Sequence, residues 1–319
     1  MKAHQNRREF IKNTSTGIIG IGVASGSLTT PQSVYGVTGK STVAIVRNER
    51  SISNRSVADE KQAALMVDTA LFMVTGKQKP EQVWSSLGVT KEDIVGIKVN
   101  SINNAFPLFD RSKVAYAISN SLSSVVPPNN IIIYDRYTAE LTHAGYTANN
   151  GSEGVRCIGA DEGAGFHPGE GITRIVTDMC TKIINIPALK TLDTAFAASL
   201  FIKNHVGSLP PDEMPKGHDN QEFITSLSAL PSLKNKTILG VCDGLRGTYK
   251  RGVPWYWRGI IMSRDLIAAE YAAHQVINEK RALEKEKPLE FPAYVTAAET
   301  KYEIGTCNPA NIDISKITM

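Results

Sequence analysis

The chain is poor in the residues that usually announce a cofactor. It has four cysteines, Cys157, Cys180, Cys242 and Cys307, and no two stand in a Cys-x-x-Cys pair. Neither an iron–sulfur cluster nor a structural zinc site therefore has its usual ligand spacing. Cys180 and Cys242 each adjoin a strand-like apolar run and read as buried small hydrophobes. Glycine is present, but not in the patterns that cradle phosphates. No Gly-Lys-Ser/Thr follows a glycine loop, and the dinucleotide fingerprint is missing, so no bound dinucleotide is expected. A serine nucleophile elbow and a His-Glu-x-x-His helix are missing too. Past residue 36 there is no apolar run of about 18 residues, which argues against a membrane span.

What stands at the head of the chain is more distinctive. Asn6-Arg7-Arg8-Glu9-Phe10-Ile11-Lys12 places two adjacent arginines before a polar residue, two apolar residues and a lysine. A weakly apolar, uncharged run from Gly17 to Leu28 follows, carrying four glycines. The run is too short and too glycine-rich to span a bilayer, and its basic flank precedes it. The pattern is similar to a bacterial twin-arginine signal, with Val34 and Gly36 as small residues before a possible cut. Residues 1–36 are accordingly predicted to be an export signal read by the twin-arginine translocon, and the mature protein to be periplasmic or otherwise exported. An oxidising periplasm would permit one disulfide, which spacing cannot identify.

Without those residues 31 basic and 30 acidic side chains remain, so a formal charge of +4 becomes +1. No basic stripe runs along the remainder, and a near-neutral chain lacks the field of a nucleic-acid binder.

Residues 37–319 are expected to form one α/β domain or two intimately joined lobes. Ser41–Val46, Ile94–Val99, Ile131–Tyr134, Lys182–Ile186 and Thr237–Val241 are short, nearly continuous apolar runs suited to strands covered on both faces. Between them Val57–Val74 carries a helical apolar stripe, Lys113–Val126 does the same before Pro127-Pro128, and Leu266–Lys285 is an alanine-rich helix. This alternation predicts an α/β fold with a mainly parallel or mixed sheet and flanking helices, a Rossmann-like layering without its fingerprint. Segment 203–220, dense in Pro, Gly, Asp and Asn, reads as a long irregular loop.

The polar residues that follow the apolar runs are the candidate site, because ligands of open α/β sheets bind at the carboxyl ends of the strands. Lys98 and Asn100 share one face of their strand, with Val99 opposed. Asp135-Arg136 ends another strand, offering a carboxylate and a guanidinium able to fork onto an anion. Lys190 stands just past Ile186-Pro187-Ala188-Leu189, and Lys203-Asn204-His205 directly follows an apolar run. Asp243-Gly244-Leu245-Arg246-Gly247 closes the Thr237 strand, its glycines admitting close backbone approach to a ligand. Trp255, Tyr256 and Trp257 read as packing, and His143, His167 and His274 as surface or structural.

These strand-end motifs resemble domain-of-unknown-function family 362, in its twin-arginine-exported subgroup. The matching stretches include Ile94–Asn100, Ile131–Arg136, Ile184–Lys190, Ser199–Gly207, Asp243–Arg246 and Ser263–Glu270. Glu270 stands where the family often has aspartate, and Leu266 where it has proline. Some relatives carry a ferredoxin-like cysteine module, absent from this sequence. The resemblance implies a fold and a cluster of polar positions, with no settled reaction.

The leading expectation is an exported protein whose polar strand-end cleft takes a small anionic ligand or substrate. Lys190, Lys203 and His205 are the candidates for proton transfer, while Lys98, Asn100, Asp135, Arg136, Asn204, Asp243 and Arg246 would bind the ligand. A divalent metal, if used, would recruit His205, His218 and Asp219. The alternative is a non-catalytic binding or accessory protein for a periplasmic redox enzyme.

Overall fold

In the computed structural model the described residues are 39–53, 57–102, 109–163, 165–192 and 198–319, with the side chain of Asp219 outside the description. The predicted signal, residues 1–36, lies outside them.

The elements follow in order as β1 (Ser41–Arg47), α1 (Glu60–Thr75), α2 (Pro80–Ser86), β2 (Val95–Lys98), α3 (Ser112–Leu122), β3 (Ile131–Asp135), α4 (Thr138–His143) and β4 (Arg156–Gly159). Then come β5 (Lys182–Asn185), β6 (Ala188–Lys190), α5 (Phe201–Asn204), α6 (Lys216–Asp219), α7 (Gln221–Ser228) and α8 (Pro231–Lys234). The last group is β7 (Thr237–Lys250), β8 (Val253–Trp255), β9 (Gly259–Ser263), α9 (Leu266–Leu283), α10 (Ala293–Thr300) and β10 (Ile312–Thr318).

All of these strands join one ten-stranded sheet in the order β10-β1-β9-β7-β5-β2-β3-β4, with β6 and β8 paired to β7. β9 runs against β1 and β7, and β8 runs against β7. The remaining pairings are parallel. The mixed, mainly parallel α/β architecture expected from the sequence is thus observed. Among the described residues no helix is long and apolar enough to cross a membrane.

Alternation along the strands explains why their apolar runs are unbroken. Ala44, Val46, Val95, Ile97, Ile131 and Ile133 pack on one face beneath α1, α2 and α3. Ile132, Tyr134 and Ile183 face the opposite way, toward α7 and α10, as Val43, Ile45 and Ile261 do toward α9. A period of two with both faces covered leaves no position for a solvent-facing residue. Helix ends are set by local chemistry: the Asp59 side chain caps α1 at Gln62 N, and Gly76 terminates it with φ 69°. Asp265 caps α9 through Ile267 N and Ala268 N at 2.9 and 3.0 Å.

Three expectations change. The Thr237 strand does not end at Val241 but continues to Lys250, because β6 on one side and β9 then β8 on the other keep its backbone paired. Its glycines serve packing: a Cβ at Gly244 would lie 2.4 Å from Trp257 Cε3, and one at Gly247 2.4 Å from Leu189 O. Segment 203–220 is not irregular, since it contains the end of α5, a 3-10 turn at His205–Ser208 and α6. The helix expected to reach Val126 stops at Leu122, where Ser123 N already bonds back to Ser119 O.

The sheet's centre leaves no room for added atoms. A Cβ on Gly240 of β7 would sit 2.6 Å from Leu266 Cδ2 and 2.7 Å from Phe201 Cε1. Gly240→Ala is expected to cost about 1–3 kcal/mol through overpacking, read as a lower urea midpoint at unchanged slope. An unchanged midpoint would show that Phe201 and Leu266 can move aside.

Candidate functional site

β2 and β5 lie side by side, yet the chain leaves them in opposite directions. β2 leads to β3 on one side, and β5 leads to β7 on the other. Such a topological switch point opens a crevice at the carboxyl ends of the two strands, the usual ligand position in open α/β sheets. Polar residues gather at this point.

Its floor is a buried ion pair. Lys98 Nζ lies 2.7 Å from Asp135 Oδ1, with side chains 1 % and 4 % exposed. Lys98 Nζ also donates to Val99 O at 2.7 Å. Ser101 donates its backbone N–H and its hydroxyl to Asp135 Oδ2, both at 2.7 Å. Burial alone would raise the Asp135 pKa, but the Lys98 charge and the bonds from Lys98 and Ser101 hold it below the usual value. Burial pulls the Lys98 ammonium down, and Asp135 offsets only part of this. Gly207 closes over the pair: a Cβ there would stand 2.5 Å from Asp135 Oδ1 and 2.9 Å from Lys98 Nζ. Only glycine lets the chain pass so close.

Beside the ion pair runs a chain of amides. Lys190 Nζ donates to Asn100 Oδ1 at 2.7 Å, and Asn100 Nδ2 to Asn204 Oδ1 at 3.1 Å. Asn204 Nδ2 donates to Asn185 Oδ1 at 2.7 Å, and Asn185 Nδ2 to Phe201 O at 2.9 Å. Each amide is oriented by the next, so the Asn100 oxygen is held toward Lys190. Burial pushes the Lys190 pKa down to about 7, with Arg111, Lys98 and Arg136 adding repulsion and Asp135 opposing them.

Two arginines and a carboxyl complete the cluster. Arg111, 5 % exposed, donates through Nη1 to Arg246 O at 3.2 Å, and Tyr146 Oη donates to its carbonyl at 3.0 Å. Arg111 Nε is buried and bonds to no described group. Arg246 is fully buried with its guanidinium 5.0 Å from the Phe109 ring centroid, and it hydrogen-bonds Tyr256. Burial and then Arg111 lower its pKa. Asp243 accepts from Leu245 N at 3.0 Å, and burial raises its carboxyl pKa against the pull of Arg111.

The structure therefore brings Lys98, Asn100, Asp135, Lys190 and Asn204 into one bonded network, while Arg111 bonds the Arg246 carbonyl and acts on Lys190 and Asp243 through its charge. Arg136 stands apart. Its Nε is 2.5 Å from Glu140 Oε2 and its Nη2 bonds the other oxygen, so a carboxylate of its own helix turn already fills the fork. Lys203 is buried and donates to Gly217 O at 2.5 Å, tying α6 to α5. His205 lines a separate enclosed space of about 10 Å³ with Ser228, Leu233 and Thr237. Burial pushes its pKa down to about 3, which keeps the imidazole neutral, and neither ring nitrogen bonds a described group. Lys203 is thus drawn toward α6, while His205, within electrostatic range of Lys98 and Asp135, is held neutral by burial.

Of the three metal ligands expected from the sequence, His205 is buried, His218 is exposed and the Asp219 side chain lies outside the described residues; among the described residues no group of three His, Cys, Asp or Glu is placed to hold an ion. All four cysteines are free, so no disulfide forms. His274 is buried and meets Glu290 O at 3.0 Å.

Arg111, Asn185, Ser101 and Tyr256 were not among the sequence-predicted site residues. Asn185 obeys the same strand-end rule that singled out Lys98 and Asp135. Arg111 precedes α3, where no strand end marks it.

A cavity of about 620 Å³ lies toward the β10 side of the sheet between Ser41, Asp265, Glu299 and Thr306, with Glu303 also in its lining. Two of its carboxylates, Asp265 and Glu299, are committed to structure. Asp265 caps α9 and holds Ser41 Oγ at 2.6 Å, while Glu299 accepts from Thr306 Oγ1 at 2.5 Å and Cys307 N at 3.2 Å. The switch-point cluster is the better candidate.

Comparison of the chain with protein-family models, with curated proteins and with solved structures finds no match.

The ion pair supplies the clearest test of this architecture. Asp135→Ala is expected to destabilise the protein by about 3–5 kcal/mol by leaving Lys98 buried and unpaired. The double change Lys98→Met with Asp135→Leu should regain much of that loss in urea denaturation. Equal stability of the single variant and wild type would show that water reaches the pair.

Proposed function

We propose that the switch-point cluster is the binding site for a small anionic molecule, and that the protein acts on or carries that molecule after export. The observation that carries this reading is the charge balance of the cluster. Asp135 neutralises Lys98, and Glu140 neutralises Arg136. Lys190 and Arg111 have no carboxylate bonded to them among the described residues, and burial pushes the nearby Asp243 toward its neutral form. A surplus of buried positive charge is costly unless a counter-charge is supplied. An anionic ligand supplies it, and a guanidinium such as Arg111, with a buried Nε not otherwise bonded, offers forked donors for carboxylate or phosphate.

The test is thermal denaturation with phosphate, sulfate and short mono- and dicarboxylates. At a ligand concentration of 100 Kd, binding should stabilise the wild type by about 2.7 kcal/mol. Arg111→Met should weaken that binding about tenfold or more. If no anion raises the melting temperature at any concentration, the reading fails.

Export is part of the same proposal and rests on the sequence pattern of residues 1–36 and on the resemblance to the twin-arginine-exported family. Replacing both arginines, Arg7→Lys with Arg8→Lys, is expected to leave the precursor in the cytoplasm on fractionation of a bacterial host. Undiminished periplasmic protein would remove the twin-arginine assignment.

A further inference from the structure

Lys190 has surroundings that differ from those of the other lysines at the site. Among the described residues it carries no ion pair, and its ammonium is held by a neutral amide oxygen, Asn100 Oδ1, at 2.7 Å. Lys98, by contrast, is locked onto Asp135, and Lys203 is drawn to Gly217 O. Lys190 is also only partly buried where Lys98 and Lys203 are fully buried. The Asn100 amide cannot turn to present its NH₂ group instead, because that group is engaged by Asn204, which is fixed in turn by Asn185. The site thus keeps one amine positioned by a neutral acceptor and set among cations.

We infer that Lys190 is a nucleophilic amine that condenses with the carbonyl of a small oxo acid whose carboxylate is held by the neighbouring arginines. The inference rests on the anion-binding reading and deepens it by naming the substrate class. In the reaction the Nζ lone pair attacks the carbonyl carbon, forming the C–N bond while the carbonyl oxygen takes up a proton. The resulting carbinolamine loses that oxygen as water, aided by one further proton, and leaves a protonated imine. Nothing is oxidised or reduced. Starting from the ammonium form, the net change is ammonium plus carbonyl giving iminium plus water.

The electrostatics agree with this use. A lysine becomes nucleophilic near neutral pH when it is desolvated or set beside other cations. Lys190 is subject to both effects: burial acts first, then Arg111, Lys98 and Arg136, with Asp135 the opposing carboxylate, and its pKa falls to about 7. Below that value the free amine, and with it the rate of condensation, should fall about tenfold for each pH unit. An ordinary exposed lysine, with a pKa of roughly 10.4, would show no levelling near neutrality.

The full-length protein is incubated with pyruvate or glyoxylate, borohydride is added to reduce any imine, and the adduct is located by peptide mass spectrometry. Lactate, which has the carboxylate but no carbonyl, serves as the control. The expected result is a borohydride-dependent adduct on Lys190, at least tenfold above that on exposed lysines and lost in Lys190→Arg. Its rate should level off above pH of about 7. Labelling spread evenly over exposed lysines, or no labelling at all, overturns the inference. A melting-temperature rise with lactate and pyruvate alike, without any adduct, overturns the amine chemistry and leaves the anion site standing. If neither anion shifts the melting temperature and no adduct forms, the anion-binding reading falls with it.

Discussion

The Lys98–Asp135 pair is the constraint on which the carboxyl edge of this sheet depends. It joins the ends of β2 and β3 across 2.7 Å, far from water, and each partner offsets part of the cost of burying the other's charge. Ser101 satisfies the second carboxylate oxygen, so the turn after β2 is fixed by the same group that balances the lysine. Gly207 then lies against the pair so closely that any side chain would collide with it. A hydrophobic pair of similar volume would give comparable stability, but it would not hold the chain after β2, and with it Asn100, in a defined place.

Much of the fold was legible in the sequence because the strands are buried on both faces. Runs such as Ile131–Tyr134 have no polar interruption, and the helices between them carry clear apolar stripes, such as that of α1. Other strands escaped prediction, among them β4 and β9, although β9 is itself a buried apolar run. β6 and β8 have three residues each and exist through pairing with β7. β10 alternates apolar and polar residues at an edge of the sheet, and its partner β1 is remote in sequence. Long-range pairing of this kind leaves no local periodicity to read.

The site was legible to the same extent and for a related reason. A polar residue that interrupts an apolar run at a strand's carboxyl end is conspicuous, which is how Lys98, Asn100 and Asp135 stand out. Proximity in sequence misleads within Lys203-Asn204-His205. Asn204 enters the amide chain, while Lys203 turns to Gly217 and His205 to an enclosed space of its own. Helical geometry separates adjacent side chains by about 100°, so three neighbouring polar residues cannot share one ligand. Arg111 lay beyond reach because its place in the cluster is fixed by tertiary contacts with Arg246 and Tyr146.

The two halves of the site divide the work of charge. On the β3 side every cation has a carboxylate: Lys98 has Asp135 and Arg136 has Glu140. On the β7 side Arg111 and Arg246 are linked to each other through a backbone carbonyl, and the nearby Asp243 is weakened as an anion by its burial. Lys190 sits between these halves, tied to the first through the Asn100–Asn204–Asn185 amides and repelled most strongly by Arg111 of the second. Amides can orient an amine without neutralising it, whereas a carboxylate in the place of Asn100 would hold it as a cation. An asparagine at that position therefore leaves Lys190 oriented without a second buried salt bridge beside Lys98–Asp135.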